Sequence, residues 1–243
     1  MSTNAHNDHL VLVSGKSGTG KSASLMNLRN QPGVIYLNCE AGKRLPFANK
    51  FQSLTVTDPM EVFQAFEEAE QHQDFHTIVI DTATYLMDMY ESLYVFNSAD
   101  TRKAWGDYAQ YWKTLMQQYV AASSKRVVIL AHTRDNFNEK EMVRETSIPV
   151  KGALQNQGLE SYFSCNIATK KMRLEDLEPY QNDLLTITED DELVGYKHVF
   201  QTRLTKDTIN ERLRAPIGLF SKQETFINND IQLVLDRLEQ FYN

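Results

Sequence analysis

The sequence predicts an α/β fold with a mainly parallel central sheet flanked by helices, followed by a β-rich C-terminal extension and a terminal helix. Three observations carry that expectation. Apolar runs at Leu10–Val13, Val34–Leu37, Ile78–Ile80 and Val127–Ala131 recur with helix-compatible stretches between them, the alternation that builds parallel sheets. A glycine-rich pattern, Gly15-Lys16-Ser17-Gly18-Thr19-Gly20-Lys21-Ser22, stands where the first run meets the helix-compatible segment Ala23–Arg29. Late in the chain, Tyr196–Leu204 alternates sides as a strand does, and Ile231, Val234, Leu235, Leu238 and Phe241 share one helical face, with Asn228 or Asn229 as the expected cap.

The elements follow in order. Pro32-Gly33 precedes a second strand, Val34–Asn38, which ends on Cys39-Glu40-Ala41-Gly42. A short third strand, Leu54–Val56, runs into Asp58-Pro59-Met60-Glu61, a helix start with an Asp cap, a proline in the first turn and a reciprocal Glu. Thr77–Asp81 is an apolar strand closed by a carboxylate. Thr82–Ala122 reads as two helices parted by a polar break at Asn97–Lys103; in the second, Trp105, Tyr108, Trp112, Leu115 and Tyr119 hold helical spacing and read as core, with Trp105, beside Arg102 and Lys103, as an alternative stacking platform for a base. Val127–Ala131 is a buried strand followed by His132. Arg134–Lys151 is a long polar segment without periodicity, expected to be a functional loop. Tyr162–Thr169 reads as a strand followed by Lys170, Lys171 and Arg173, and Leu184–Thr188 as a hairpin strand between two acidic stretches.

With 243 residues, 42% of them hydrophobic and 10% aromatic, the chain can bury one sizeable core. A single domain over 1–243 is expected, with its core at about 8–170 and the C-terminal strands and helix at about 171–243. No long apolar span is present and Met1–Asp8 is short and polar, so neither a membrane partner nor a signal or transit peptide is expected, and the location expected is cytoplasmic. Cys39 and Cys165 have no partner at metal-ligand spacing and read as buried free thiols. A net charge of −7 means that any nucleic-acid binding has to rest on a local basic surface.

The glycine-rich pattern has a definite chemistry. Its glycines let backbone N–H groups turn inward around a phosphate chain, Lys21 reaches the β- and γ-phosphates, and the Ser22 hydroxyl ligates Mg²⁺. Asp81, at the end of a buried strand, is the matching Mg²⁺ residue. Glu40 ends the second strand, at the edge where open α/β sheets place their ligands. His132 ends another strand and reads either as a group facing the γ-phosphate or as a satisfied structural histidine.

This series, a phosphate loop, a Glu-ended strand, an Asp-ended strand, a polar residue after the next strand, a long loop, then a basic pair before Ala215-Pro216, resembles the RecA-type P-loop ATPase core over roughly residues 8–220. It looks most like the short RecA-like proteins of bacteriophages associated with single-strand DNA annealing and recombination. The resemblance implies an ATP- and Mg²⁺-dependent ATPase in which Glu40 polarises the attacking water and His132 senses the γ-phosphate. It implies DNA-facing loops near Asn97–Asp107 and Thr133–Gly152, with Arg102, Lys103, Trp105, Arg134, Lys140, Arg144 and Lys151 as candidate contacts. Arg212 and Arg214 occupy the region from which such proteins send basic residues into a neighbouring subunit's nucleotide; the alternative is a pair of solvated strand-edge charges. The partners implied are single-stranded DNA, further copies of the chain in a ring or short filament, and a single-strand-binding protein.

Two other readings remain. In a partition-type ATPase a second loop lysine precedes a Gly-Gly pair; Lys16 fits that slot but Ser17 replaces the first glycine. The chain is otherwise an assembly protein in which ATP gates DNA binding and turnover is incidental. A GTPase reading lacks its base-reading motif, since Thr205-Lys206-Asp207 has no spacer and Thr169-Lys170-Lys171-Met172 no Asp.

Overall fold

A computed structural model of the chain describes residues 7–243; nearly all of the segment expected to carry no targeting signal lies outside them. The strands are β1 (Leu10–Gly15), β2 (Val34–Asn38), β3 (Gln52–Thr55), β4 (Thr77–Asp81), β5 (Arg126–His132), β6 (Arg134–Asn138), β7 (Val143–Ser147), β8 (Cys165–Arg173), β9 (Tyr196–Gln201) and β10 (Phe226–Asn228). Eight of them form one sheet in the order β10-β9-β8-β1-β5-β4-β2-β3. The run from β8 to β3 is parallel throughout, and β9 and β10 add antiparallel at its far end. This is the predicted mainly parallel α/β fold with its β-rich C-terminal extension.

Parallel strands buried on both faces require apolar residues on both, and β1, β4 and β5 supply them. Leu10, Leu12, Ile78, Ile80 and Ile129 face a layer formed by α1 (Glu61–Gln71), α2 (Ala83–Tyr90) and α3 (Thr101–Thr114). Val11, Val13, Val79, Val128 and Leu130 face the opposite layer, where the terminal helix α6 (Ile231–Tyr242) docks through Ile231, Val234, Leu235 and Leu238. Each of those four side chains is buried, and each such aliphatic burial stabilises by about 1.5–3 kcal/mol. The α-helix α1 opens at Glu61, two residues after the proline expected at its first position, but the expected side chains hold the turn before it: Asp58 Oδ1 accepts the Met60 N–H at 2.9 Å and Glu61 Oε2 accepts the Asp58 N–H at 3.2 Å. No described helix is long and apolar enough to cross a membrane.

Several expected elements are corrected. The segment after the phosphate loop is a 3₁₀ helix over Ser22–Leu25 rather than a helix to Arg29, because Asn30 turns left-handed (φ 47°) into the Gln31–Gly33 turn that starts β2. Arg134–Lys151 is largely an ordered hairpin of β6 and β7, pinned across its strands by Asp135 with Thr146 and Asn138 with Glu145; the strands are polar on both faces, so no apolar alternation announces them. β8 begins three residues later than expected and runs to Arg173, so Lys170, Lys171 and Arg173 lie on the strand. Leu184–Thr188 is irregular, because the Asn182 amide takes the carbonyls of Tyr180, Gln223 and Phe226 and holds the segment beside β10. The two acidic stretches are short helices, α4 (Leu174–Leu177) and α5 (Glu189–Val194), the latter opened by a Thr188–Asp191 capping box. The cap of α6 is Asp230, whose carboxylate accepts the Gln232 N–H at 2.9 Å.

Candidate active site

Parallel strands bring their carboxyl ends to one edge, and β5 lies between β1 and β4. The register sets Gly15 beside His132, Asp81 beside Leu130 and Asn38 beside Asp81. Lys21 and His132, 111 positions apart in sequence, thereby line one cleft of about 350 Å³, which holds Lys21, Ser22, Glu40, Asp81 and His132 together.

The phosphate loop turns at Gly18 (φ 77°) and Gly20 (φ 101°), conformations open to glycine and disfavoured for other residues. Lys21 is almost fully buried and donates from Nζ to the carbonyls of Gly15 at 3.0 Å and Lys16 at 2.9 Å. Burial lowers its pKa to about 8, against the opposing pull of Asp81 and Glu40. Ser22 Oγ donates to Asp81 Oδ2 at 2.8 Å, and the Tyr36 hydroxyl donates to the same oxygen at 2.8 Å. The other oxygen, Oδ1, is buried and accepts no hydrogen bond. Burial pushes the Asp81 carboxyl up, and the bonds from Tyr36 and Ser22 oppose that rise.

Glu40 follows β2 in a tight turn, its side chain 9% exposed. Oε2 pairs with Lys43 Nζ at 2.8 Å and Oε1 lies 3.4 Å from His132 Nε2. Burial acts to raise the Glu40 carboxyl, but the bonds and charges of Lys43 and His132 outweigh it and hold the group below its ordinary value. His132 is moved down, first by burial and then by the Lys21 charge, which favours the neutral imidazole at neutral pH. Its backbone N–H donates to Thr84 Oγ1 at 2.9 Å, and Tyr85 meets the ring edge-on at 5.8 Å between centroids.

Other sequence candidates lie elsewhere. Lys16 reaches away from the cleft to Asp135 on β6, 2.7 Å from its carboxylate. Arg212 and Arg214 are exposed and outside the nucleotide-facing cleft; Arg212 and Arg144 line a separate cavity of about 430 Å³, where Arg212 Nη1 is 3.6 Å from the buried Glu160. Arg134, Lys140 and Arg144 are exposed on the β6–β7 hairpin, as is Phe137. Arg102 and Lys103 are exposed at the start of α3, whereas Trp105 is half-buried, edge-on to Tyr108 and against Gly152. Lys151 is paired with Glu91 and with Asp88.

Four contributors were not singled out in the sequence for this site. Tyr36 sits in an apolar strand and reads as core, and Lys43 is one charge in a loop. His198 on β9 donates from Nδ1 to the Thr19 carbonyl at 2.9 Å, and Asn229 donates to the Gly20 carbonyl at 2.8 Å, so the C-terminal extension braces the phosphate loop from behind. Only the position of Tyr36 two residues before the strand's polar end hinted at a role; His198 and Asn229 lie 179 and 209 residues from the backbone they hold.

No curated protein matches the chain. Residues 8–165, nearly two thirds of the chain and the whole of β1 to β7, match the family described as AAA domain. With its phosphate loop at the end of β1 and Asp81 at the end of β4, the chain belongs to that family of nucleotide-binding P-loop ATPases.

Proposed function

We propose that the protein hydrolyses ATP with Mg²⁺ while engaging single-stranded DNA as an oligomer, and that it assists recombination, strand annealing or replication of the kind found in bacteriophages. The observation that carries this reading is the convergence of Lys21, Ser22, Asp81, Glu40 and His132 on one cleft, with the β6–β7 hairpin, which exposes Arg134, Lys140 and Arg144, starting two residues after His132. The hairpin root is tied to the phosphate loop, because the Thr133 N–H donates to the Gly15 carbonyl at 3.1 Å and Asp135 pairs with Lys16.

In this reading Lys21 holds the β- and γ-phosphates and Glu40 takes a proton from the water that attacks the γ-phosphorus as the bond to the bridging oxygen breaks. His132 is placed to report the γ-phosphate to the hairpin. Asp81 fits a role at Mg²⁺: Oδ1 is a buried hard oxygen with no hydrogen bond, beside the Ser22 hydroxyl. When bound, the ion neutralises charge on the phosphate oxygens. Among the described residues no three His, Cys, Asp or Glu groups cluster as metal ligands, in keeping with an ion that draws on Ser22, water and the phosphates. Arg212 and Arg214 are read as groups offered to a neighbouring subunit's nucleotide. The engagement of Lys16 with its own chain's Asp135 favours this account over the partition-type one, in which that lysine serves the phosphates.

The test is Glu40→Gln. The variant is expected to bind ATP as the parent does while turnover falls by about 100-fold or more. Parent-like turnover would remove Glu40 from the mechanism.

A further inference from the structure

The turn that carries Glu40 is more elaborate than a strand end requires. Asn38 Oδ1 accepts the Glu40 N–H at 2.9 Å, Asn38 Nδ2 donates to the Lys43 carbonyl at 2.8 Å, and the Lys43 N–H donates to the Glu40 carbonyl at 3.1 Å. Ala41 (φ 52°) and Gly42 (φ 77°) are both left-handed, a conformation that a residue with a Cβ such as Ala41 rarely adopts. The result folds residues 40–43 back so that the Lys43 ammonium meets Glu40 Oε2 at 2.8 Å. The two side chains differ in exposure: that of Glu40 is 9% exposed and that of Lys43 70%. Lys43 also lines the nucleotide cleft, within reach of whatever enters it.

We infer that Lys43 is a positioning residue that restrains Glu40: while its ammonium occupies Oε2 the carboxylate is a poor base for water, and turnover waits on Lys43 leaving. This inference rests on the reading of Glu40 as the water-activating group. The chemistry of release follows from the cleft. An entering triphosphate competes with Glu40 for a flexible, solvent-facing ammonium, and the ion pair then opens for part of the time. Other groups set the background against which Lys43 acts. His132 faces Glu40 from β5, while Lys21 on the phosphate loop, Asp81 on β4, Tyr36 on β2 and Cys39 just after it lie within electrostatic range. Of the two lysines that line the cleft with it, Lys43 and Lys21, only Lys43 is exposed and outside the phosphate loop.

The experiment compares steady-state ATP hydrolysis by the full chain, by Lys43→Met, Lys43→Arg and Glu40→Gln, across the acid and neutral range. Lys43→Met is expected to raise kcat by at least about threefold, because a lone pair on Oε2 is freed, while KM rises as the triphosphate loses that ammonium. Its acidic limb should move to higher pH, since Lys43 holds the Glu40 carboxyl down and its removal lets the carboxyl rise. Lys43→Arg, which keeps the cation, should behave as the parent. A Lys43→Met enzyme with unchanged or lower kcat and an unmoved acidic limb, alongside an inactive Glu40→Gln, overturns the restraint while leaving Glu40 in its role. An active Glu40→Gln overturns the restraint by removing the base on which it acts.

Discussion

Asp81 joins two strands and the phosphate loop through a single carboxylate: one oxygen is shared by the hydroxyls of Ser22 and Tyr36 and the other is buried and accepts no hydrogen bond. Its place beside the phosphate loop was legible because an acidic residue ending a buried strand follows a complete phosphate loop. Tyr36 was not legible, since a tyrosine in Val34–Asn38 satisfies the demand for an apolar strand before any polar duty is considered. Lys21 yields a pH prediction with a definite sign. In the ligand-free protein it loses its charge as pH rises through about 8, whereas a bound triphosphate favours the charged form. Nucleotide binding therefore takes up a proton above that pH, and affinity should fall with a slope approaching about tenfold per pH unit. Fluorescent-nucleotide titrations at neutral and alkaline pH check this; flat affinity through the window contradicts it.

The elements themselves divide along a physical line. Strands β1, β2, β4 and β5 were readable because burial on both faces forces unbroken apolar runs, and helix α1 because its capping residues are local. The β6–β7 hairpin was not, because polar side chains on both faces carry no period, and its register is held instead by side-chain pairs such as Asp135 with Thr146. The bracing of the phosphate loop by β9 and the start of α6 was equally hidden, being a contact between opposite ends of the chain. Glycine substitutions expose that brace. At Gly20 an added Cβ would lie 2.7 Å from Asn229 Nδ2 at φ 101°, while at Gly18 it would meet nothing within 4 Å at φ 77°. Gly20→Ala should cost about 1–3 kcal/mol of stability and most of the nucleotide affinity, with Gly18→Ala the milder of the two. Denaturation midpoints that fall equally for the two variants would argue that Asn229 does not constrain the loop.

At the scale of the whole molecule, the sheet gathers a nucleotide cleft and a hairpin of mixed charge, with Arg134, Lys140 and Arg144 exposed on it, at one edge and leaves Arg212 and Arg214 exposed outside that cleft. An overall charge of −7 makes the hairpin cations a local feature that salt should screen. If Arg212 acts on a neighbour's nucleotide, a subunit lacking Lys21 and a subunit lacking Arg212 each fail alone and complement one another when mixed, since one mixed contact then pairs an intact cleft with an intact arginine. Mixtures of Lys21→Ala and Arg212→Ala chains should recover part of the parent rate; no recovery at any ratio would place Arg212 outside the reaction. Fold class was legible at this scale from strand and motif order alone. Arg212 and Arg214 show in a single chain only as exposed charges.

The central claim, an ATPase coupled to single-stranded DNA, is tested most directly by the hydrolysis rate measured without DNA, with single-stranded DNA and with duplex, each at two salt concentrations. The account predicts a low basal rate, stimulation by single strands that weakens as salt rises, and little response to duplex. A rate that ignores single strands, or that responds to duplex alone, would contradict it.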